Sequence, residues 1–268
     1  MEFFTITTLS AVALGFIVGL LVGLTSVGSG SLMTPILYLD FGSSLARMMV
    51  VGTAATQGTI TKFVASLRNY LSNTLRTDYV LIISITGVPL AAIGAFFSSA
   101  LVSSKYFSPF LAVILILAAI AMIVEMRRNR SGHLMPPKAN GALRIKGLVL
   151  GAVVGLVAGL TGVSTGSLLV TSLIVLLKFP TRMAIGIAIF EGGLILLAAT
   201  SAQLYLGHVD LPFTGLLVMG GIPGILIGSH FKDRVNQRLL GYGVAGIMIF
   251  ESLRIISSFA TGRSFLFF

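Results

Sequence analysis

The sequence contains no cysteine. That absence excludes disulfides, thiolate metal sites and thiol relay chemistry, and says nothing about compartment. Charge is nearly as scarce: 10% of the 268 residues are Asp, Glu, Lys or Arg, against about 25% in an average soluble domain. The shortage falls mainly on the acids, eight against eighteen Lys and Arg, for a formal charge of +10. Histidine occurs three times, at His133, His208 and His230, scattered over loops and span ends with no metal-ligand spacing. With no cysteine, no paired acids and no histidine cluster, no reactive constellation is available, so an enzyme, a metal site and a cofactor are all unexpected.

What the sequence has instead is apolar. Its hydrophobic fraction is 56% and its mean hydropathy +1.02, values of an integral membrane protein. Apolar stretches recur at 8–39, 44–66, 79–102, 107–124, 147–178, 184–206, 211–230 and 239–260, most of them near the roughly 20 residues that a membrane helix needs. They lack the alternation and turn spacing of an outer-membrane barrel, so the spans are read as helices. The first run carries no Lys or Arg before it and recurs near residue 147, which argues for part of the fold rather than a signal peptide.

The chain is a duplication. Gly15–Leu32, GFIVGLLVGLTSVGSGSL, matches Gly151–Leu168, GAVVGLVAGLTGVSTGSL, at 11 of 18 positions with an offset of 136. Further on, ITGVPLAAIG (85–94) matches MGGIPGILIG (219–228) at an offset of 134. The halves are residues 1–126 and 147–268, joined by a linker at 127–146 that holds six of the eighteen cations. A linker this basic belongs in the cytoplasm, by the positive-inside rule, and against anionic lipid rather than nucleic acid. Glycines at 15, 19 and 23, and at 151, 155 and 159, fall on one helix face and suit close helix packing.

Each half therefore holds a Gly-broken segment followed by three ordinary spans. If each broken segment returns to its own side, the halves are inverted, and thirteen Lys and Arg lie on the linker's side against four opposite, with Lys62 unassigned. If each segment crosses once, eight full spans result and the bias is weak. The positive-inside rule favours inversion, a recurring transporter plan.

At membrane depth, a non-helical turn leaves backbone N–H groups that only protein, water or a ligand can satisfy. Half-helices starting near Leu32 and Leu168 would aim positive N-termini at an anion. The candidate site is then Thr25, Ser26, Gly28, Ser29, Gly30 and Ser31 with Thr161, Gly162, Ser164, Thr165, Gly166 and Ser167. The bland alternative is that these hydroxyls only cap the half-helices. The 134 offset also pairs Gln57, a further candidate substrate-binding residue, with Glu191. An acid this deep in a span costs about 2.5 to 3.5 kcal/mol on insertion scales, so Glu191 is either a proton carrier or a hydrogen-bonded structural group. Arg47 and Arg182 precede these spans and either draw anions to the two entrances or anchor the interface. Glu125 and Glu251 stand three residues before arginines and read as structural pairs.

The duplicated glycine pattern with Pro35, and the Gly-Pro positions at Pro89 and Pro223, resemble the TauE/SafE family of sulfite and organosulfonate exporters over the whole chain. That family usually has a near-continuous glycine triplet where this chain has Gly28-Ser29-Gly30 and Ser164-Thr165-Gly166, and a proline where it has Thr171. The resemblance implies a multi-pass carrier in the cell membrane, in bacteria the inner membrane, exporting a small sulfur anion; the paired breaks suit alternating access, and the deep Glu191 is the candidate for proton coupling. The alternatives are an anion channel, or a carrier of another small carboxylate or oxyanion. The expected partners are that anion, the bilayer and, as an open alternative, a second copy in a homodimer.

Overall fold

The computed structural model describes residues 2–25, 28–41, 47–70, 77–127, 141–163, 166–231 and 234–261. Among them, all regular structure is helical: α1 (Glu2–Thr25), α2 (Gly30–Asp40), α3 (Arg47–Tyr70), α4 (Thr77–Val102), α5 (Phe107–Arg127), α6 (Gly141–Thr161), α7 (Gly166–Val175), α8 (Thr181–Tyr205), α9 (Leu211–Phe231) and α10 (Gln237–Thr261). Seven of these, α1, α4, α5, α6, α8, α9 and α10, are long and apolar enough to cross a membrane. The fold is thus that of an all-α polytopic membrane protein.

The distribution of side chains fits a lipid environment. Leu81, Ile85, Phe97, Met219 and Leu239 are between 63% and 72% exposed, whereas Ser29, Gln57, Thr61 and Glu191 are fully buried. Water would penalise so much exposed apolar surface; hydrocarbon does not.

Both breaks fall inside the stretches marked by glycine and hydroxyls. Helix α1 stops at Thr25 and α2 begins at Gly30; α6 stops at Thr161 and α7 begins at Gly166. The short helices start two residues earlier than the expected Leu32 and Leu168. Gly162, with φ +66°, ends α6 in the left-handed conformation common just past a helix C-terminus. The first arm of each broken segment is itself long and apolar enough to cross, over Thr8–Thr25 in α1 and Gly141–Thr161 in α6. Each half therefore reads long, short, long, long, long. Residues 128–140 of the basic linker lie outside the described set, and its remainder is helical, with Arg127 closing α5 and Arg144 and Lys146 exposed in the opening turns of α6.

The halves interlock rather than sit side by side. Helix α1 packs along α9 of the second half, and α6 along α4 of the first. The glycines set these distances. A Cβ at Gly15, Gly19 or Gly23 would overlap the carbonyl oxygen of Leu217, Gly221 or Ile225, and one at Gly151, Gly155 or Gly159 that of Ile83, Gly87 or Ala91. Lipid supplies no hydrophobic drive between helices, so such backbone approach is a principal source of cohesion. At the centre, α3 packs against α8. Helix α8 is the most deeply buried of the seven long apolar helices, and α3 is buried throughout 50–59.

Gly155→Val forces a branched side chain into the Gly87 carbonyl and should destabilise the fold by at least about 1 to 3 kcal/mol. Gly215→Ala, on a face with nothing within 4 Å, should leave the fold as stable or firmer. Thermal unfolding in detergent compares them, and equal midpoints would refute the packing argument.

Candidate substrate site at the helix breaks

The two breaks meet against the α3–α8 pair. A Cβ built on Gly166, the first residue of α7, would stand 3.3 Å from the backbone nitrogen of Gly28 and 3.8 Å from Lys62 Nζ. One built on Gly58 of α3 would stand 3.2 Å from Ser29 Oγ and 3.2 Å from Leu196 Cδ1. Segments 136 residues apart in sequence are thus neighbours, held close by positions that lack a side chain.

The hydroxyls of the sequence-derived site divide by partner. Thr25 Oγ1 donates to the Leu21 carbonyl at 2.6 Å, Ser31 Oγ to the Gly28 carbonyl at 2.7 Å, and Thr161 Oγ1 to the Val157 carbonyl at 2.7 Å. Thr161 Oγ1 also accepts from the Val163 N–H at 3.1 Å. These groups finish helix ends. Ser29 is fully buried and shares a hydrogen bond with Thr61 Oγ1 at 3.0 Å, tying the first break to α3. Ser167 is 2% exposed and its Oγ has no partner. Gly28, Gly30 and Gly166 are buried backbone at the junction, and Gly162 packs on the Val51 carbonyl of α3. Ser26, Ser164 and Thr165 lie outside the described residues. Arg47 opens α3 and Arg182 is the second residue of α8, and both side chains lie outside the described set.

Gln57 and Glu191 occupy the equivalent positions on α3 and α8 that the repeat assigns them, and both are fully buried. Ser84 of α4 donates to Glu191 Oε2 at 2.8 Å, while Glu191 Oε1 and both amide atoms of Gln57 have no partner. The Gln57 amide faces α9, where a Cβ at Gly221 would stand 3.3 Å from Nε2.

Lys62 is the residue that sequence reasoning passed over. It is 4% exposed, and its Nζ has no hydrogen-bond partner. The ammonium lies over α8 at Gly192, where a Cβ would overlap it. A signal was present: Lys62 is the only charged residue between Met48 and Leu67. The 134 offset sets it against Leu196, the side chain that reaches over Gly58 as Lys62 reaches over Gly192. The backbone frame at the crossing is therefore duplicated, while its chemistry is not.

Buried polar atoms nearly always have partners. Here Gln57, Lys62, Ser167 and Glu191, on three helices around one crossing, leave five atoms without one. Such a cluster can receive a polar ligand, and its lone cation favours an anion. Among the described residues no group of three or more His, Cys, Asp or Glu is placed to hold a metal.

A second polar cluster lies elsewhere. Arg254 of α10 bonds Asp40 at the end of α2 at 2.7 Å and Glu251 at 3.1 Å, with all three side chains at most 9% exposed. The Glu251 and Arg254 pair was legible from spacing; Asp40 was not. On the second short helix, Thr171 stands where Pro35 does on the first, and its Oγ1 donates to the Ala121 carbonyl of α5 at 2.8 Å.

Residues 11–255 match the family described as Sulfite exporter TauE/SafE. A protein of Bacillus subtilis (strain 168) named "Probable membrane transporter protein YjnA" is 33% identical over 264 residues, covering 93% of this chain and 100% of that relative. No solved structure matches.

Arg254→Met strands two buried carboxylates and should cost about 3 to 5 kcal/mol, whereas Asp40→Asn, which leaves Glu251 paired, should cost less. Thermal unfolding in detergent reads both, and a loss within about 1 kcal/mol for the arginine variant would reduce the cluster to a surface pair.

Proposed function

The chain belongs to the TauE/SafE sulfite exporter family of membrane transporters, and on that premise we propose that it is a secondary carrier of a small sulfur oxyanion or organosulfonate, moved outward by alternating access. One observation carries this reading: two helix breaks, one from each half, converge on a buried crossing rich in polar atoms without partners. Irregular backbone at membrane depth is tolerated where it lines a site, and paired broken helices around a midplane site recur in secondary transporters. The two halves are inverted in this reading, and the basic linker faces the cytoplasm of a bacterial inner membrane.

Glu191 carries the coupling proton. It is fully buried, Ser84 holds one of its oxygens, and the other is without a partner. Gln57, its counterpart, cannot ionise, so a single proton site serves both orientations.

Flux in proteoliposomes tests the whole. Saturable movement of sulfite or a sulfonate, accelerated by counter-anion on the far side, is the expected result; ohmic current would make the protein a channel, and the absence of any anion flux would remove the reading. Glu191→Gln should abolish the part of the flux driven by a proton gradient while sparing exchange of labelled for unlabelled substrate. Gradient-driven flux that survives this change would remove Glu191 from coupling. Ser29→Phe should abolish all flux in a protein that still inserts, and wild-type flux in that variant would move the site away from the first break.

A further inference from the structure

The proposed carrier still lacks a group that holds the charge of its substrate. We infer that Lys62 is that group, and that its Nζ binds the head group of a singly charged, sulfonate-type oxyanion beside the start of α7. This rests on the transport reading and gives its site a cation and a charge preference.

Four features converge on the ammonium. Lys62 is 4% exposed and its Nζ has no hydrogen-bond partner, although an ammonium carries three donors and a buried charge is costly unless paired. The neighbouring acid does not meet that need, since one oxygen of Glu191 is committed to Ser84 at 2.8 Å and neither is hydrogen-bonded to Lys62. The ammonium also stands close to Gly166, whose Cβ would lie 3.8 Å away, and so near the positive end of α7. Two positive features facing each other are stabilised by an anion between them. Finally, Ser167 in that first turn is 2% exposed with an unpartnered Oγ, a further donor for an oxyanion.

Room for the ammonium is built into the opposite helix. A side chain at position 192 would collide with Lys62 Nζ, so Gly192 keeps the place open. In the first half the equivalent glycine, Gly58, receives Leu196. Only one of the two pseudo-equivalent positions therefore presents a charge, and one bound anion is the consequence.

Charge balance narrows the ligand. Within the described residues at the crossing, the buried charges are one lysine and one carboxylate. A monoanion can replace Glu191 as the counter-charge of Lys62 once that carboxyl takes a proton. A dianion would leave a net buried negative charge. Sulfonates and the singly protonated form of sulfite fit, and sulfate does not.

The full chain, purified in detergent, is titrated calorimetrically with methanesulfonate, sulfite and sulfate, in wild type, Lys62→Met, Lys62→Arg and the double variant Lys62→Met/Glu191→Gln. Wild type should bind methanesulfonate and sulfite and prefer both to sulfate. Lys62→Met should weaken methanesulfonate binding at least about tenfold, the scale of one charge-assisted hydrogen bond, and Lys62→Arg should recover part of the loss. The double variant separates the roles. If Lys62 only neutralises Glu191, removing both charges restores binding; if Lys62 holds the substrate, binding stays lost. Restored or wild-type binding in the double variant overturns the assignment of Lys62 and leaves the transport reading standing. A wild-type protein that binds none of the three anions overturns the substrate class, and this assignment with it.

Discussion

The structure depends first on carbonyl oxygens lying where glycine has no side chain. Along α1 and α9, and again along α4 and α6, backbone rests on backbone at three successive helical turns. In water such contact would add little to the burial of apolar surface. In hydrocarbon, where apolar surface gains nothing by meeting its like, packing at this closeness is among the few interactions that select one arrangement of helices. It also joins the repeats crosswise, because each pairing takes one helix from either half. Neither half can close its own glycine face. The breaks that follow α1 and α6 are therefore brought to one place by the contact that holds the halves together.

A frame built twice need not carry the same chemistry twice. At the α3–α8 crossing the backbone positions correspond, Gly58 with Gly192, and the side chains over them differ, Leu196 in one half and Lys62 in the other. Gln57 answers Glu191 in the same way. At the short helices Pro35 answers Thr171, whose hydroxyl bonds α5, and the end of α2 is fastened by an arginine, through Asp40 and Arg254. Symmetry thus governs packing, where both halves need the same closeness. It lapses in the polar interior, where one buried carboxyl and one buried ammonium stand against an amide and a leucine, and a second set would add buried charge at further cost.

Much of this was legible in the sequence, and the boundary is physical. Composition gave the membrane, because lipid-facing surface requires it. The repeat marked the breaks and the packing glycines, because both act through backbone and leave a residue-type signature at fixed spacing. Gln57 and Glu191 were found because the repeat aligned them and a deep acid is conspicuous. Lys62 was missed because its counterpart is leucine, so the repeat that exposed the other pair offered nothing to compare. Which hydroxyls serve caps was also beyond reach: Ser31 and Ser167 occupy equivalent positions, yet the first bonds its own turn and the second has no partner. Asp40 and Arg254 meet only through tertiary packing, 214 residues apart.

The polar interior also explains why α3, among the long described helices, is the one not apolar enough to cross a membrane by itself. It is 24 residues long, about 36 Å at 1.5 Å per residue, enough to cross. But it carries Thr53, Thr56, Gln57, Thr59, Thr61 and Lys62 in fewer than three turns, and all six are buried. Insertion scales charge about 2.5 to 3.5 kcal/mol for a lysine at the centre of a lone helix. Such a helix is stable only when others shield it, and α2, α4, α8 and α9 do so. Hydrogen bonds from its face to those neighbours, Ser29 with Thr61 and Thr59 with Thr200 at 2.9 Å, satisfy part of its polarity. What they leave unsatisfied is Gln57 and Lys62. The residues that make α3 unfit for lipid are thus the ones that bring unpartnered polar atoms to the crossing, and the enclosure that lets α3 fold is also what keeps those atoms out of the hydrocarbon.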